Sequence, residues 1–212
     1  DKDSGEPMSD REMIDEVMTL IVAGSETSAA TMNWVWFIMS QHAHIEAGVQ
    51  AEIDALDFDQ APSFSQLSEL KYLRQVIDEA LRLYPPVWLY SRKAIADDQV
   101  AGVKIPAGAD IFISPYFLHR NKQYWDDPDK VDPGRFDETT SKQRHKLAYI
   151  PFSAGPRRCI GDFFGIVEVQ MHFAILARRF RLGMAPQSQV ALEAEVNLRP
   201  ANPFIMTLHK RP

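Results

Sequence analysis

The sequence holds a single cysteine, Cys159. That excludes an internal disulfide and any zinc or iron–sulfur site built on several thiolates, and a lone thiol fits a reduced, cytoplasmic setting. Positive charge is also short: 23 Lys and Arg against 29 Asp and Glu leave a net charge of −6, which argues against nucleic acid as a partner. Long hydrophobic runs are missing. The most apolar stretch, 29–39, is interrupted by Thr31 and Asn33 and is shorter than the ~20 residues of a bilayer-spanning helix. The opening stretch, Asp1 to Asp10, is acidic and polar and does not read as a secretory signal. Repeats and low-complexity tracts are absent. What is present, 212 residues of which 45% are hydrophobic and 25% charged, suffices for one substantial core or two small ones.

The pattern is mainly helical with a minor sheet. Ser9-Asp10-Arg11-Glu12 fits a capping box, and nothing breaks the helix it starts until about Gln41, apart from a soft spot at Gly24. At 1.5 Å per residue that helix is roughly 48 Å long. Its middle, Ala23-Gly24-Ser25-Glu26-Thr27-Ser28, is a polar patch between Leu20-Ile21-Val22 and Trp34-Val35-Trp36-Phe37. A conflict of that kind marks a candidate site. A second helix is expected over 44–56 and a third over 69–84, where Leu70, Leu73, Val76, Ile77, Ala80 and Leu83 recur at helical spacing until Pro85-Pro86 stops it. From Val87 to Ser114 the pattern turns strand-like, with 100–105 and 109–113 expected to form a hairpin through Pro106-Ala107-Gly108. The stretch 121–144 reads as irregular. A last helix is expected from just after Cys159 to near Phe180, followed by weak strand signals over 190–208.

The most specific segment is Pro151-Phe152-Ser153-Ala154-Gly155-Pro156-Arg157-Arg158-Cys159-Ile160-Gly161. It sets the one cysteine at the mouth of a helix, behind a Gly/Pro turn and two arginines. Amide donors, the helix dipole and nearby cations all hold a thiol as thiolate. Gly155 permits a turn that other residues resist, and Gly161 lets a planar group approach the backbone. Taken alone, a cysteine at a helix start is far more often a buried structural thiol. A cysteine hydrolase would need a histidine poised beside Cys159, and the six histidines offer no such setting. His42 and His44, two apart on a helix, are not expected to face each other and carry no functional weight.

Phe152, Gly155, Arg157, Cys159 and Gly161 match Phe-x-x-Gly-x-Arg-x-Cys-x-Gly, and on that match the chain resembles the cytochrome P450 family, C-terminal half only. Ser153 replaces a common glycine. The resemblance implies a single partial domain over 1–212, running from the long central helix to the helix of the haem ligand. It implies haem b as cofactor, with Cys159 as the iron's thiolate ligand; such ligation pushes electron density toward O–O cleavage. The patch at 23–28 is similar to the family's oxygen-activation motif, which implies that Thr27 touches dioxygen, that Glu26 relays protons to it, and that Ala23 and Gly24 leave room above the iron. Glu79 and Arg82, three apart and able to pair, correspond to the family's Glu-x-x-Arg, with Arg135 as the arginine that locks it; Gly134 stands where the family has an acid. The implied role is structural support of the cysteine loop.

Arg92 and Arg157 correspond to arginines that pair with haem propionates, although a bare strand arginine more often faces water. Val87, Trp88 and Leu89 would form one pocket wall, with Ala201 and Asn202 as a further turn into it; Trp88 and Tyr90 serve a core equally well. The basic run Lys142, Arg144, Lys146, Arg157 and Arg158, with no acid between Ser141 and Gly161, would suit an acidic electron donor such as a ferredoxin, a flavodoxin-like protein or a reductase domain. The function implied is a haem-thiolate monooxygenase inserting one atom of O2 into a small apolar organic substrate. Its alternative is a non-catalytic haem-binding or interaction fragment of the same family. Either way, the family's N-terminal half is an implied partner.

Overall fold

The computed structural model describes residues 5–185, 190–203 and 205–211. Helix α1, Asp10–Gln41, starts at the capping box: the Glu12 carboxylate accepts the Ser9 amide at 2.8 Å, and Ser9 Oγ accepts the Glu12 amide at 3.3 Å. It runs unbroken through Gly24 and ends where His42 adopts φ −131°. Its two ends differ in packing. From Ser28 onward it is buried through Ala30, Trp34, Val35, Ile38 and Met39, whereas Met13, Ile14, Val17, Met18, Leu20, Ile21 and Val22 are all exposed.

Around the buried end pack α2 (Ala43–Asp54), α4 (Lys71–Leu83) and α7 (Asp162–Arg179). Ile45, Val49 and Ile53 of α2, Leu73, Val76 and Ile77 of α4, and Ile166, Val169 and Phe173 of α7 form one continuous apolar cluster with Trp34 and Ile38. Trp34 stacks on Tyr84 at 4.2 Å, and the Trp36 indole donates to His172 Nε2 at 2.9 Å. Burying each of these large side chains contributes roughly 1.5–3 kcal/mol, so the four-helix contact carries the fold.

The expected helices are present within a few residues, and three short ones join them. These are α3 (Phe64–Leu67), α5 (Pro115–Leu118) and α6 (Glu138–Gln143), capped by Ser63, Ser114 and Asp137 respectively; α6 lies in a stretch expected to be irregular. Among the described residues all the strands form two-stranded antiparallel pairs.

The expected hairpin is wrong. Strands β2 (Asp98–Val100) and β3 (Val103–Ile105) pair with each other around Ala101-Gly102. Both turn residues have positive φ, 50° and 83°, the mirror-image turn that matches strand twist. Thus 100–105 is itself a hairpin rather than one run. Pro106-Ala107-Gly108 instead leads into β4 (Asp110–Ile113), which pairs with β1 (Tyr90–Lys93), setting Arg92 opposite Ile111. The C-terminal part holds β5 (Phe180–Met184) against β8 (Met206–Lys210), and β6 (Leu192–Ala194) against β7 (Leu198–Pro200). His42 is also placed differently from expectation. It caps α2 from outside the helix, and its ring lies 5.9 Å from that of His44.

Candidate functional site

Cys159 is exposed and stands at the end of a tight loop before α7. Its amide donates to Phe152 O at 3.0 Å, and the Ser153 amide to Ile150 O at 3.0 Å. The loop demands left-handed backbone at Gly155 (φ 76°) and also at Ser153 (φ 62°), where an L-residue is strained by about 1–2 kcal/mol. Arg92 reaches across from β1 to donate to Ser153 Oγ at 3.3 Å. Gly161 is the N-cap of α7 and brings no side-chain acceptor; the Asp162 carboxylate in the first turn accepts the Phe163 amide at 2.6 Å.

The donor set fits a haem. The thiol has no side-chain partner among the described residues and is open to a ligand. A Cβ built at Gly161 meets only Cys159 Sγ, at 3.9 Å, and one built at Gly24 or Gly155 meets nothing within 4 Å. Ile160 next to the thiol is 94% exposed, as an apolar residue covered by a flat ligand would be. Arg157 is exposed and makes no hydrogen bond or ion pair to the described residues. Arg92 uses Nη1 on Ser91 O at 2.9 Å and lies 4.9 Å over the Tyr90 ring. A histidine beside Cys159, as a cysteine hydrolase requires, is not among the described contacts.

The polar patch of α1 connects to α7 one residue beyond Thr27: Ser28 Oγ donates to Glu168 at 2.6 Å. Thr27 is half-buried, and its hydroxyl donates to Ala23 O at 2.7 Å. Ala23 and Glu26 are exposed. The segment 86–88 is sewn to the β6–β7 hairpin by Leu198 N–H on Pro86 O at 2.8 Å and by the Trp88 indole on Glu195 O at 2.8 Å. The Trp34 indole, at 3.4 Å from Leu198 O, ties both to α1. Val87, Ala201 and Asn202 are exposed and Leu89 is half-buried; no direct bond joins 201–202 to 87–89.

The structure brings Glu79, Arg82 and Arg135 together. Glu79 and Arg82 are fully buried and pair bidentately, at 2.6 and 2.8 Å. The other Arg82 donors satisfy the carbonyls of His119 (3.0 Å), Pro128 (2.6 Å) and Lys130 (3.2 Å). Glu79 Oε1 also accepts the Asp132 amide at 2.8 Å. Arg135 stands 3.7 Å from Glu79, an ion-pair distance too long for a hydrogen bond, and donates to Asp127 O at 3.0 Å. None of these bonds enters 145–161, so the triad braces the connecting loops; among the described residues His119 links Arg82 to Ile150, and Arg144 donates to Arg135 O.

That histidine is what reading the sequence missed. It is fully buried, and its Nε2 accepts the Ile150 amide at 2.9 Å, just ahead of the cysteine loop. Burial pushes its pKa down to about 3, so the ring is neutral. Its only signal was the isolated apolar context of Phe117-Leu118-His119.

The basic run is largely spent on internal contacts. Lys142 pairs with Glu138 and Arg158 with Asp162, while Arg144 stacks on Trp125 and Phe136 and donates to Arg135 O. Lys146 and Arg157 remain. No cluster of three potential metal-ligating side chains occurs among the described residues, and no described helix is long and apolar enough to cross a membrane.

The family model described as Cytochrome P450 matches residues 1–208. Among curated proteins the chain is 37% identical over 198 residues to cyclooctatin synthase of Streptomyces melanosporofaciens, covering 93% of this chain and 43% of that protein. It is 35% identical over 192 residues to pentalenene oxygenase of Streptomyces avermitilis, covering 90% and 42%. The crystal structure of the cytochrome P450DA heme domain superimposes with a TM-score of 0.94 at 27% identity, covering all of this chain and 47% of that one. The chain therefore spans less than half the length of the relatives it matches. Proteins of this family carry haem b, and the mainly helical fold with small sheets is theirs. With the thiol loop, the bracing triad and a match over nearly all its residues, this chain belongs to the cytochrome P450 family.

Proposed function

We propose that the chain is the haem-binding part of a monooxygenase, with Cys159 as the iron's thiolate ligand. The observation that carries this is the exposed thiol, without a side-chain partner among the described residues, just ahead of the glycine that begins α7. A haem bound there supplies oxygen activation when reduced, and thiolate ligation favours O–O cleavage. The protein's own residues do the rest. Arg92 and Arg157 orient the macrocycle by pairing with its carboxylates, and Phe152, Gly155 and Gly161 shape the loop around the thiolate. Thr27, whose hydroxyl donates to Ala23 O, would hold a proton beside a bound haem, and Glu26, open to water, would hand protons inward. Glu79, Arg82 and Arg135 are structural support. Ala23, Val87, Trp88, Leu89, Ala201 and Asn202 line the space for a small apolar organic substrate. The names of the relatives, a pentalenene oxygenase and a cyclooctat-9-en-7-ol 5-monooxygenase, favour a cyclic hydrocarbon skeleton.

O2 and an electron-donor protein complete the reaction; Lys146 and Arg157 are the basic residues left to attract an acidic donor such as a ferredoxin, a flavodoxin-like protein or a reductase domain. The family's N-terminal half is the partner proposed for the exposed apolar faces of α1, and residues 1–212 then form one partial domain. Those exposed faces also favour a second reading, in which the chain alone is a haem-binding or interaction fragment that does not turn over. The test is incubation of the haem-loaded chain, with and without an N-terminal half, with reductant, pentalenene and isotopically labelled O2. One labelled oxygen per product, lost in Cys159→Ser, supports the monooxygenase. Haem bound through Cys159 with no product in either mixture supports the fragment.

A further inference from the structure

We propose that His119 and Tyr149 are positioning residues for Cys159, and that together they hang the cysteine loop from α4. This rests on Cys159 being the haem ligand. The stretch of chain entering the loop, 149–153, is tied to α4 at two adjacent residues, directly from Tyr149 to Asp78 and from Ile150 by way of His119, the residue that ends α5. The Ile150 amide donates to His119 Nε2 at 2.9 Å, so the ring proton sits on Nδ1, which faces the Arg82 carbonyl at 3.3 Å. The Tyr149 hydroxyl lies 2.9 Å from Asp78 Oδ1 and 3.0 Å from Asp78 O, and Arg74 holds that carboxylate at 2.8 Å.

Two backbone bonds carry this register onward: Ser153 N–H on Ile150 O, then Cys159 N–H on Phe152 O, both 3.0 Å. The buried Glu79–Arg82 pair bonds elsewhere, to loops at 119–132. His119 is the shared point: its carbonyl accepts from Arg82 while its ring holds Ile150. Packing fixes the ring plane, with Tyr149 5.2 Å from His119 and 4.7 Å from Phe136. A helix whose side chains are locked from both sides thus sets where the thiol stands, and the loop itself need not be rigid.

The test uses His119→Leu, His119→Gln and Tyr149→Phe, read by amide hydrogen exchange at Ile150 in the chain without haem. At equal haem occupancy it also reads the fraction of reduced, CO-bound haem with the thiolate-type Soret band. Loss of one buried hydrogen bond corresponds to about a tenfold change in an opening equilibrium. His119→Leu should therefore speed exchange at Ile150 about tenfold and shift haem out of the thiolate form. His119→Gln, whose carbonyl can accept from Ile150 and whose amide can donate to Arg82 O, should restore both. Tyr149→Phe removes one hydroxyl and no packing. It should move both readouts in the same direction, and it carries the test if His119→Leu does not fold. Unchanged exchange at Ile150 in His119→Leu and Tyr149→Phe, or an unchanged thiolate fraction at matched haem loading, overturns the proposal, as does failure of His119→Gln to rescue. Altered exchange with no thiolate band even in the wild type instead refutes Cys159 as ligand and leaves the strap intact.

Discussion

Between pH 7 and pH 5 the buried imidazole of His119 should by itself remove about 2 kcal/mol of folding stability. In the unfolded chain the ring titrates near 6.5. In the fold, burial, helped by the Arg82 and Arg120 cations, outweighs the pull of the Arg82 and Leu81 carbonyls and lowers the pKa to about 3. Through that window the unfolded state binds a proton that the folded state refuses. The contribution is therefore complete above about 6.5 and is lost as pH falls toward 3. At pH 5 the unfolded state is ahead by about 1.5 units at ~1.4 kcal/mol each, and at pH 7 by only ~0.2 kcal/mol. Carboxylates add their own slopes, so the assay is a difference: urea denaturation of wild type and His119→Gln at pH 7, 6 and 5. The stability gap between them should move by about 2 kcal/mol against the wild type as pH falls. A gap that stays constant would refute the reasoning, because it would mean that the ring is reached by water or accepts its proton in place.

Arg82→Leu should cost about 3–5 kcal/mol in the same denaturation assay, because it leaves Glu79 buried with the Asp132 amide and a distant Arg135 but without its bidentate cation, and strips three carbonyls of their donor; a loss below 1 kcal/mol would show that water enters. Gly155→Ala should cost about 1 kcal/mol from backbone strain alone, since nothing lies within 4 Å of the added methyl, and a thermal melt reads it. Thr27→Val, which removes a hydroxyl bonded only to Ala23 O, should leave stability within about 0.5 kcal/mol while releasing more peroxide per product in the haem-loaded protein. Arg92→Ala should weaken haem retention about tenfold, the worth of one charge-assisted hydrogen bond, measured by transfer of haem to a scavenger.

The long elements were legible because each is governed by local rules. Ser9 to Glu12 started α1, the 3.6-residue spacing marked α4, and Pro85-Pro86 ended it. The Ala101-Gly102 turn was not legible, since alanine at φ 50° contradicts its own preference and only the paired strands impose it. The caps of α3 and α6, Ser63 with Gln66 and Asp137 with Thr140, were readable signals on helices too short to show a period. At the site, Cys159 and its loop were plain from residue types in a row. The support was not: His119 meets Ile150 across 31 residues and Tyr149 meets Asp78 across 71, and no spacing announces such contacts. Part of the basic run was readable, since Arg158 pairs with Asp162 only four residues on; the stacking of Arg144 on Trp125 was not, because those residues lie 19 apart along chain that reads as irregular.

The central claim is that Cys159 ligates haem as a thiolate, and the most direct measurement is the absorption spectrum of the haem-loaded chain, reduced by dithionite under carbon monoxide, beside Cys159→Ser. A strongly red-shifted Soret band in the wild type, absent from the variant, is the predicted result. A Soret band at the position of histidine-ligated haem, identical in both, would contradict it.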